Sequence, residues 1–250
     1  YPAGEIHNLS RAGRPLLVRY DSAAIGACVT RETFARRPAN MWKWREFLPL
    51  PPGVDPVELG EIETPLLPLR RLSQRAGVTP LLVKDEGRLP TGSFKARGLA
   101  VAISMARHFG TTHVALPTNG NAGAALAAYA AAAGMESTVI CPSETPILNI
   151  TETAAYGARV LVADGQIDEC GRLVGEGAAA GRWFDMSTLK EPYRAEGKKT
   201  MGLELTEQFG WRLPDAIFYP TGGGTGLIGM WKAFAELEAA GLIGPERPRM

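Results

Sequence analysis

Leu81-Leu82-Val83-Lys84, then Pro90-Thr91-Gly92-Ser93-Phe94-Lys95, then the apolar periodic run from Ala96 to Phe109 read as strand, turn and helix, with one lysine at the joint. A short aliphatic run bounded by turn residues is a strand signal, and apolar residues at helical spacing directly after it signal a helix. Lys95 thus falls at a helix start, where the positive end of the macrodipole and the apolar wall of Phe94 both disfavour its charged form. A lysine held neutral is a nucleophile that can form a Schiff base. Taken alone it also reads as a solvated first-turn residue, because lysine is seldom buried. The rest of the chain decides.

Outward from this joint the alternation continues. Strands are expected at Val114 to Pro117, Thr138 to Cys141, Val160 to Ala163, Trp183 to Asp185 and Ala216 to Tyr219. Helices are expected from Asn121, from Thr145 to Tyr156, Ile167 to Ala179, Pro192 to Phe209 and Leu227 to Ala240. Strand and helix repeated with short glycine-rich joints indicate an α/β class with a mostly parallel sheet flanked by helices. Residues 1 to 63 form an irregular arm with one strand expected at Leu16 to Tyr20 and a helix, interrupted at Pro38, from Arg31 to Phe47. Ligands in such folds bind at the carboxyl ends of strands, so the turns there are the places to search.

Two of those turns are unusual. Pro220-Thr221-Gly222-Gly223-Gly224-Thr225-Gly226 puts four glycines in five positions just before a helix. Bare backbone amides at a helix start, with the dipole behind them, suit a phosphate. Gly224-Thr225-Gly226-Leu227-Ile228-Gly229 also matches the dinucleotide-binding pattern, a weak match by itself, since the sequence ends before the next strand that would carry the ribose-gripping acid can be checked. The second turn, Thr118-Asn119-Gly120-Asn121, follows a strand and opens a helix of small residues. Asn121 reads either as a helix cap or as an amide donor to a carboxylate or phenolic oxygen.

Composition narrows the function classes. Among 250 residues, 27 basic and 26 acidic side chains give a formal charge of +1, which does not steer toward nucleic acid. Cys28, Cys141 and Cys170 are odd in number and far apart, which argues against a disulfide framework or a zinc site and for a reducing, cytoplasmic setting. The alanine-rich run Ala122 to Met135 is too short to cross a bilayer, which takes about 20 residues. His7, His108 and His113 stand apart from any acid or serine at triad-like spacing. The chain starts at Tyr1 and stops at Met250 just after a proline-rich stretch, so it is expected to be part of something longer.

In this order, a Ser-Phe-Lys turn, a Gly-Asn turn and a glycine-rich loop resemble the fold-type II pyridoxal-phosphate enzymes. Within that group the chain resembles the threonine synthases, on Lys84-Asp85-Glu86-Gly87, on Pro90 to Lys95 with Arg97-Gly98, and on Glu191-Pro192-Tyr193-Arg194-Ala195-Glu196-Gly197-Lys198-Lys199-Thr200. The resemblance covers roughly Thr64 to Phe234 and implies a two-domain fold. Residues 64–92 with 194–250 would form a large cofactor domain, incomplete at its C-terminus, and 93–193 a small α/β domain. It also implies pyridoxal 5'-phosphate as cofactor, with Lys95 carrying the internal aldimine and Phe94 beside it. Asn121 would bond the ring hydroxyl oxygen, and Gly222, Gly223, Gly224, Thr225 and Gly226 would hold the cofactor phosphate. Thr118 and Asn119 would meet the substrate, and Arg194 would grip the phosphate of O-phosphohomoserine, as a planar guanidinium does bidentately. The other reading of Arg194 is a salt-bridged residue at a helix start. Water and O-phospho-L-homoserine would give L-threonine and phosphate, in a homodimer by analogy with relatives.

Departures from the family pattern keep other activities in play. Asn119 replaces a threonine, Ala122 and Gly123 replace hydroxyl residues near the substrate carboxylate, and Ala96 replaces a frequent aspartate. The loop Gly222 to Gly226 resembles those of amino-acid dehydratases and cysteine synthases, so β-elimination or β-replacement on serine or threonine is the alternative. The family's Ser or Thr facing the pyridine nitrogen is expected beyond Met250. A nucleotide-binding dehydrogenase leaves the lysine turn without a role, and a non-catalytic homologue would keep only the fold.

Overall fold

The computed structural model describes residues 1–250. In the arm, α1 (Ser22–Cys28) and α2 (Arg31–Ala35) begin at Asp21 and Thr30, whose side chains accept the amides of Ala24 and Thr33. The helix expected from Arg31 to Phe47 is two pieces, because Pro38 cannot continue it; a 3-10 segment follows at Met41–Phe47. Leu16 to Tyr20 is not a strand, since no sheet edge lies beside it and a lone strand leaves its backbone groups unpaired. The segment is pinned by its side chains instead: the Tyr20 hydroxyl donates to Glu196 at 2.8 Å, under the ammonium groups of Lys199 and Lys232.

β1 (Leu66–Pro68) and β2 (Leu82–Lys84) pair antiparallel as a ribbon, with α3 (Arg70–Ala76) between them. The strand that opens the decisive stretch is therefore real but antiparallel. Then come α4 (Lys95–His108), β3 (His113–Pro117), α5 (Ala122–Ala132), β4 (Glu136–Pro142), α6 (Ile147–Ala155), β5 (Arg159–Ala163), α7 (Ile167–Ala179) and β6 (Phe184–Asp185). The four strands β3 to β6 form a parallel sheet in the order β5-β4-β3-β6. β3 and β4 are buried along most of their length because helices cover both faces. The fold is α/β, with a parallel sheet flanked by helices, as the sequence predicts.

α8 (Tyr193–Gln208) and α9 (Thr225–Ala239) complete the chain. Ala216 to Tyr219 is not the expected strand: a single parallel bridge joins Ala216 to Arg249, and Phe218 is 92% exposed. A strand exists only through pairing, and no second partner lies alongside. Apolar packing gathers in two main clusters. The larger joins α4, α5 and β3 with Trp42 and Leu50 of the arm; the smaller joins α8 and α9 with Phe34, Trp44 and Phe47. No helix is long and apolar enough to cross a membrane.

Candidate active site

Three helix starts meet around Phe94, and glycine makes the meeting possible. In α8, a Cβ at Gly197 would overlap the Arg97 carbonyl, and in α4 a Cβ at Gly98 would stand 2.9 Å from the Arg194 carbonyl oxygen. On the other side of α8, a Cβ at Gly229 of α9 would come within 2.8 Å of the Ala195 carbonyl oxygen. Missing side chains let the three backbones close on one another, as small residues do wherever helices cross tightly. The crossing brings Lys95 at the start of α4, Arg194 and Lys198 in the first turns of α8, and the glycine loop before α9 into one neighbourhood.

Lys95 Nζ lies 3.7 Å from the centroid of the Phe94 ring, and burial together with Arg194 lowers its pKa. Arg194 is a source of that shift that the sequence reasoning did not name. Its guanidinium is 3% exposed, donates to the Met186 carbonyl at 2.7 Å, and keeps an Nε without a partner. No carboxylate reaches it within salt-bridge distance, so the salt-bridged reading falls. Glu191 spends its carboxylate on the α8 start instead, accepting the amides of Tyr193 and Arg194; burial pushes its pKa up to about 7.

Lys198 is the residue that the sequence reasoning missed. It is 1% exposed, and its Nζ sits 4.3 Å from the centroid of the same Phe94 ring. Burial first, then Arg194 and Lys95, hold its pKa well below the usual lysine value. The signal was available: Arg194 and Lys198 stand four apart on one helix and so share a face.

The glycine loop keeps the geometry that the sequence suggested. Phe94 meets Tyr219 at 5.4 Å between ring centroids, and a Cβ at Gly226 would strike the Tyr219 hydroxyl. Gly223 packs on the Thr188 methyl, just beyond β6. Gly224 takes φ of +83° at the N-cap of α9, a conformation that glycine adopts without strain. None of the amides from Gly222 to Leu227 donates a hydrogen bond within the protein, and Gly222 and Gly223 are exposed. This free run of donors fits a cofactor phosphate.

The asparagine turn lies at the carboxyl end of β3, beside that of β6. Thr118 bonds within its own turn, accepting the Gly120 amide at 3.0 Å, and Asn119 is exposed. Asn121 occupies the N-cap of α5 without capping it; its Oδ1 accepts from Asn149 at 3.3 Å. The capping reading of Asn121 therefore fails, and its amide group stays at the surface. One link from this turn to the glycine loop runs through β6 and Thr188 to Gly223.

An apolar groove of about 830 Å³ lies elsewhere, between the arm and α9, lined by Leu17, Leu227, Ile228 and Trp231 among others. Lys95, Arg194, Lys198 and the glycines 222–226 lie outside its lining.

The sequence pattern of the family described as "Pyridoxal-phosphate dependent enzyme" matches residues 57–249. The chain is 33% identical to a threonine synthase of Methanocaldococcus jannaschii over 251 residues, covering 100% of this chain and 62% of that protein. It is 33% identical to a threonine synthase of Methanosarcina acetivorans, covering 95% of this chain and 58% of that one. The chain thus spans about three fifths of the length of these curated relatives. Among solved structures, the T.th. threonine deaminase superposes with a TM-score of 0.62 at 28% identity, over 71% of this chain and 56% of that one. Diaminopropionate ammonia lyase from Escherichia coli, in complex with an aminoacrylate-PLP azomethine reaction intermediate, superposes with a TM-score of 0.67 at 20% identity, over 96% and 62%. With its lysine against Phe94, its free amides at the α9 start and a family match over most of its length, this chain belongs to the pyridoxal-phosphate dependent enzymes, whose cofactor is pyridoxal 5'-phosphate.

Proposed function

We propose that the chain carries the active-site half of a threonine synthase, which converts O-phospho-L-homoserine and water to L-threonine and phosphate. The observation that carries this reading is Arg194: a buried guanidinium with an unpartnered Nε and no carboxylate in reach, close enough to Lys95 to lower its pKa. A phosphate supplies what such a group lacks. The names of the relatives support the same reading.

The residues divide the work as follows. Lys95 is the residue that bonds the cofactor, with Phe94 as its apolar wall. The amides of Gly222, Gly223, Gly224, Thr225 and Gly226 take the cofactor phosphate, Asn121 its ring oxygen, and Thr118 and Asn119 the substrate carboxylate. When bound, pyridoxal phosphate withdraws the electron pair left behind as a substrate carbon loses its proton. Once the substrate's amine has displaced it from the cofactor, Lys95 Nζ, kept low in pKa by burial and by Arg194, would take the proton from the substrate Cα and pass protons to and from its neighbouring carbons. Arg194 orients the substrate by its phosphate and favours that group's departure from Cγ with the bonding electrons; water then supplies the hydroxyl at Cβ.

β-Elimination on serine or threonine is the second reading. The loop Gly222 to Gly226 and the 28% identity to a threonine deaminase favour it. One experiment separates the two: full-length protein is given O-phosphohomoserine, or serine and threonine, while phosphate and ammonia are assayed. Phosphate release with threonine formed supports the first reading; ammonia from serine or threonine without phosphate release overturns it.

A further inference from the structure

We propose that Lys198 is the second cationic arm of the phosphate site that Arg194 opens, so that the two residues together select a phosphorylated amino acid. The inference rests on the proposed function and adds a residue that the family comparison did not single out.

The geometry places both groups on one face of α8 and sets Lys198 against the ring that also carries Lys95. Lys198 makes no hydrogen bond or ion pair within the protein although 1% of it is exposed. Buried charges in proteins are as a rule paired. Every other buried lysine here obeys: Lys43 bonds Glu63 and Glu207, and Lys199 bonds Glu196 and Glu236. The Lys198 ammonium rests on the Phe94 ring and has no hydrogen-bond acceptor in the chain. Gly98 of α4 leaves the space that its stem crosses; a Cβ there would stand 3.2 Å from Lys198 Cε.

The charges that face the group show what it lacks. From its own helix comes Arg194; from α4 come Lys95 and Arg97; from the turn after β2 comes Glu86. Glu86 is already engaged by the Arg97 guanidinium and the Thr64 hydroxyl. Asp185 and Glu191 face Arg194, and Glu191 is occupied as a helix cap. The neighbourhood is thus rich in cations and short of free anions. A phosphate dianion balances it, accepting from Arg194 Nε and from the Lys198 ammonium at once.

The test uses the full-length holoprotein, wild type and Lys198→Met, with Lys198→Gln as a second variant should the first not fold. Retention of the visible cofactor band certifies each variant. Titration calorimetry measures binding of inorganic phosphate, O-phosphohomoserine and homoserine. The expected result is a loss of about tenfold to hundredfold in affinity for the two phosphorylated ligands, as for one charge-assisted hydrogen bond, with homoserine binding unchanged. Phosphate affinity within about twofold of wild type, with the band intact, overturns the assignment and leaves Lys198 only an influence on Lys95. Failure of the wild type to bind phosphate overturns it too. Phosphate binding that depends on Lys198, in a protein that releases no phosphate from O-phosphohomoserine, upholds the two-armed site while overturning the proposed reaction.

Discussion

Gly197 of α8 rests on the backbone of Arg97 in α4 so closely that a Cβ at residue 197 would stand 2.7 Å from the Arg97 carbonyl carbon and 2.8 Å from Gly98 Cα. This contact sets how near α8 comes to the start of α4, and with it how near Arg194 and Lys198 come to Lys95. Gly197→Ala is expected to cost about 2 kcal/mol or more, because both contacting groups are backbone and cannot turn aside. Urea unfolding measures the loss, and the same variant is expected to bind pyridoxal phosphate more weakly. A variant as stable as wild type would show that the helices are not held at this crossing.

Lys95→Ala removes the group proposed to bond the cofactor. Its absorption spectrum is expected to lack the visible band of the lysine-bound cofactor, while far-ultraviolet circular dichroism is unchanged. A band that survives in Lys95→Ala means that another amine carries the cofactor; Lys198 is the neighbour to examine next.

Beneath the site, Arg97 is wholly buried and tied to Glu204 at 2.6 Å, to Glu86 at 2.6 Å and to Thr200 at 2.9 Å, joining α4 to α8. Removing one partner of a buried ion pair strands the other, at about 3–5 kcal/mol. Arg97→Met is expected to lose that much in denaturant unfolding, and with Glu204→Leu, which also takes away the partner of Lys84, to lose less than the sum of the two single effects. Strict additivity of the two single effects would mean that they do not interact.

Glu191 predicts a pH dependence of stability. Burial raises its carboxyl to about 7 in the folded protein from an ordinary value of 4.5, so the native state holds a proton that the unfolded chain has released. Its contribution to stability is therefore full below about 4.5, falls as pH rises toward 7, and is flat above, at about 1.4 kcal/mol per unit of separation. Glu191→Gln keeps an acceptor for the α8 amides and removes the titration. Unfolding free energies of the two proteins are expected to diverge across that window in favour of the variant; parallel curves would place the Glu191 proton elsewhere.

Asn121→Ala separates capping from binding. Because the side chain caps nothing, thermal stability of the cofactor-free protein is expected to stay within about 0.5 kcal/mol of wild type, as for an exposed substitution. Cofactor affinity, followed by fluorescence titration, is expected to fall. The opposite pattern would return Asn121 to a structural role.

Local pattern was enough for the strand and helix alternation from Leu81 to Gln208, because each element there carries its own periodicity and its own turn residues. It was enough, too, to put Lys95 and the bare glycine loop at helix starts, since those are properties of a few neighbouring residues. Where an element depended on a distant partner, the same reading misled: Leu16 to Tyr20 and Ala216 to Tyr219 have strand composition but no neighbouring strand to pair with. Asn121 looked like a cap and is drawn to Asn149 instead, a residue 28 positions away that no local rule brings near. Nothing short of the packed chain reveals that Arg194 meets no carboxylate, that Lys198 is buried beside Lys95, and that Phe94 lies between them and Tyr219. Burial and charge pairing are properties of the packed molecule. They arise from the glycine contacts among α4, α8 and α9, between residues as far apart in sequence as Gly98 and Gly229.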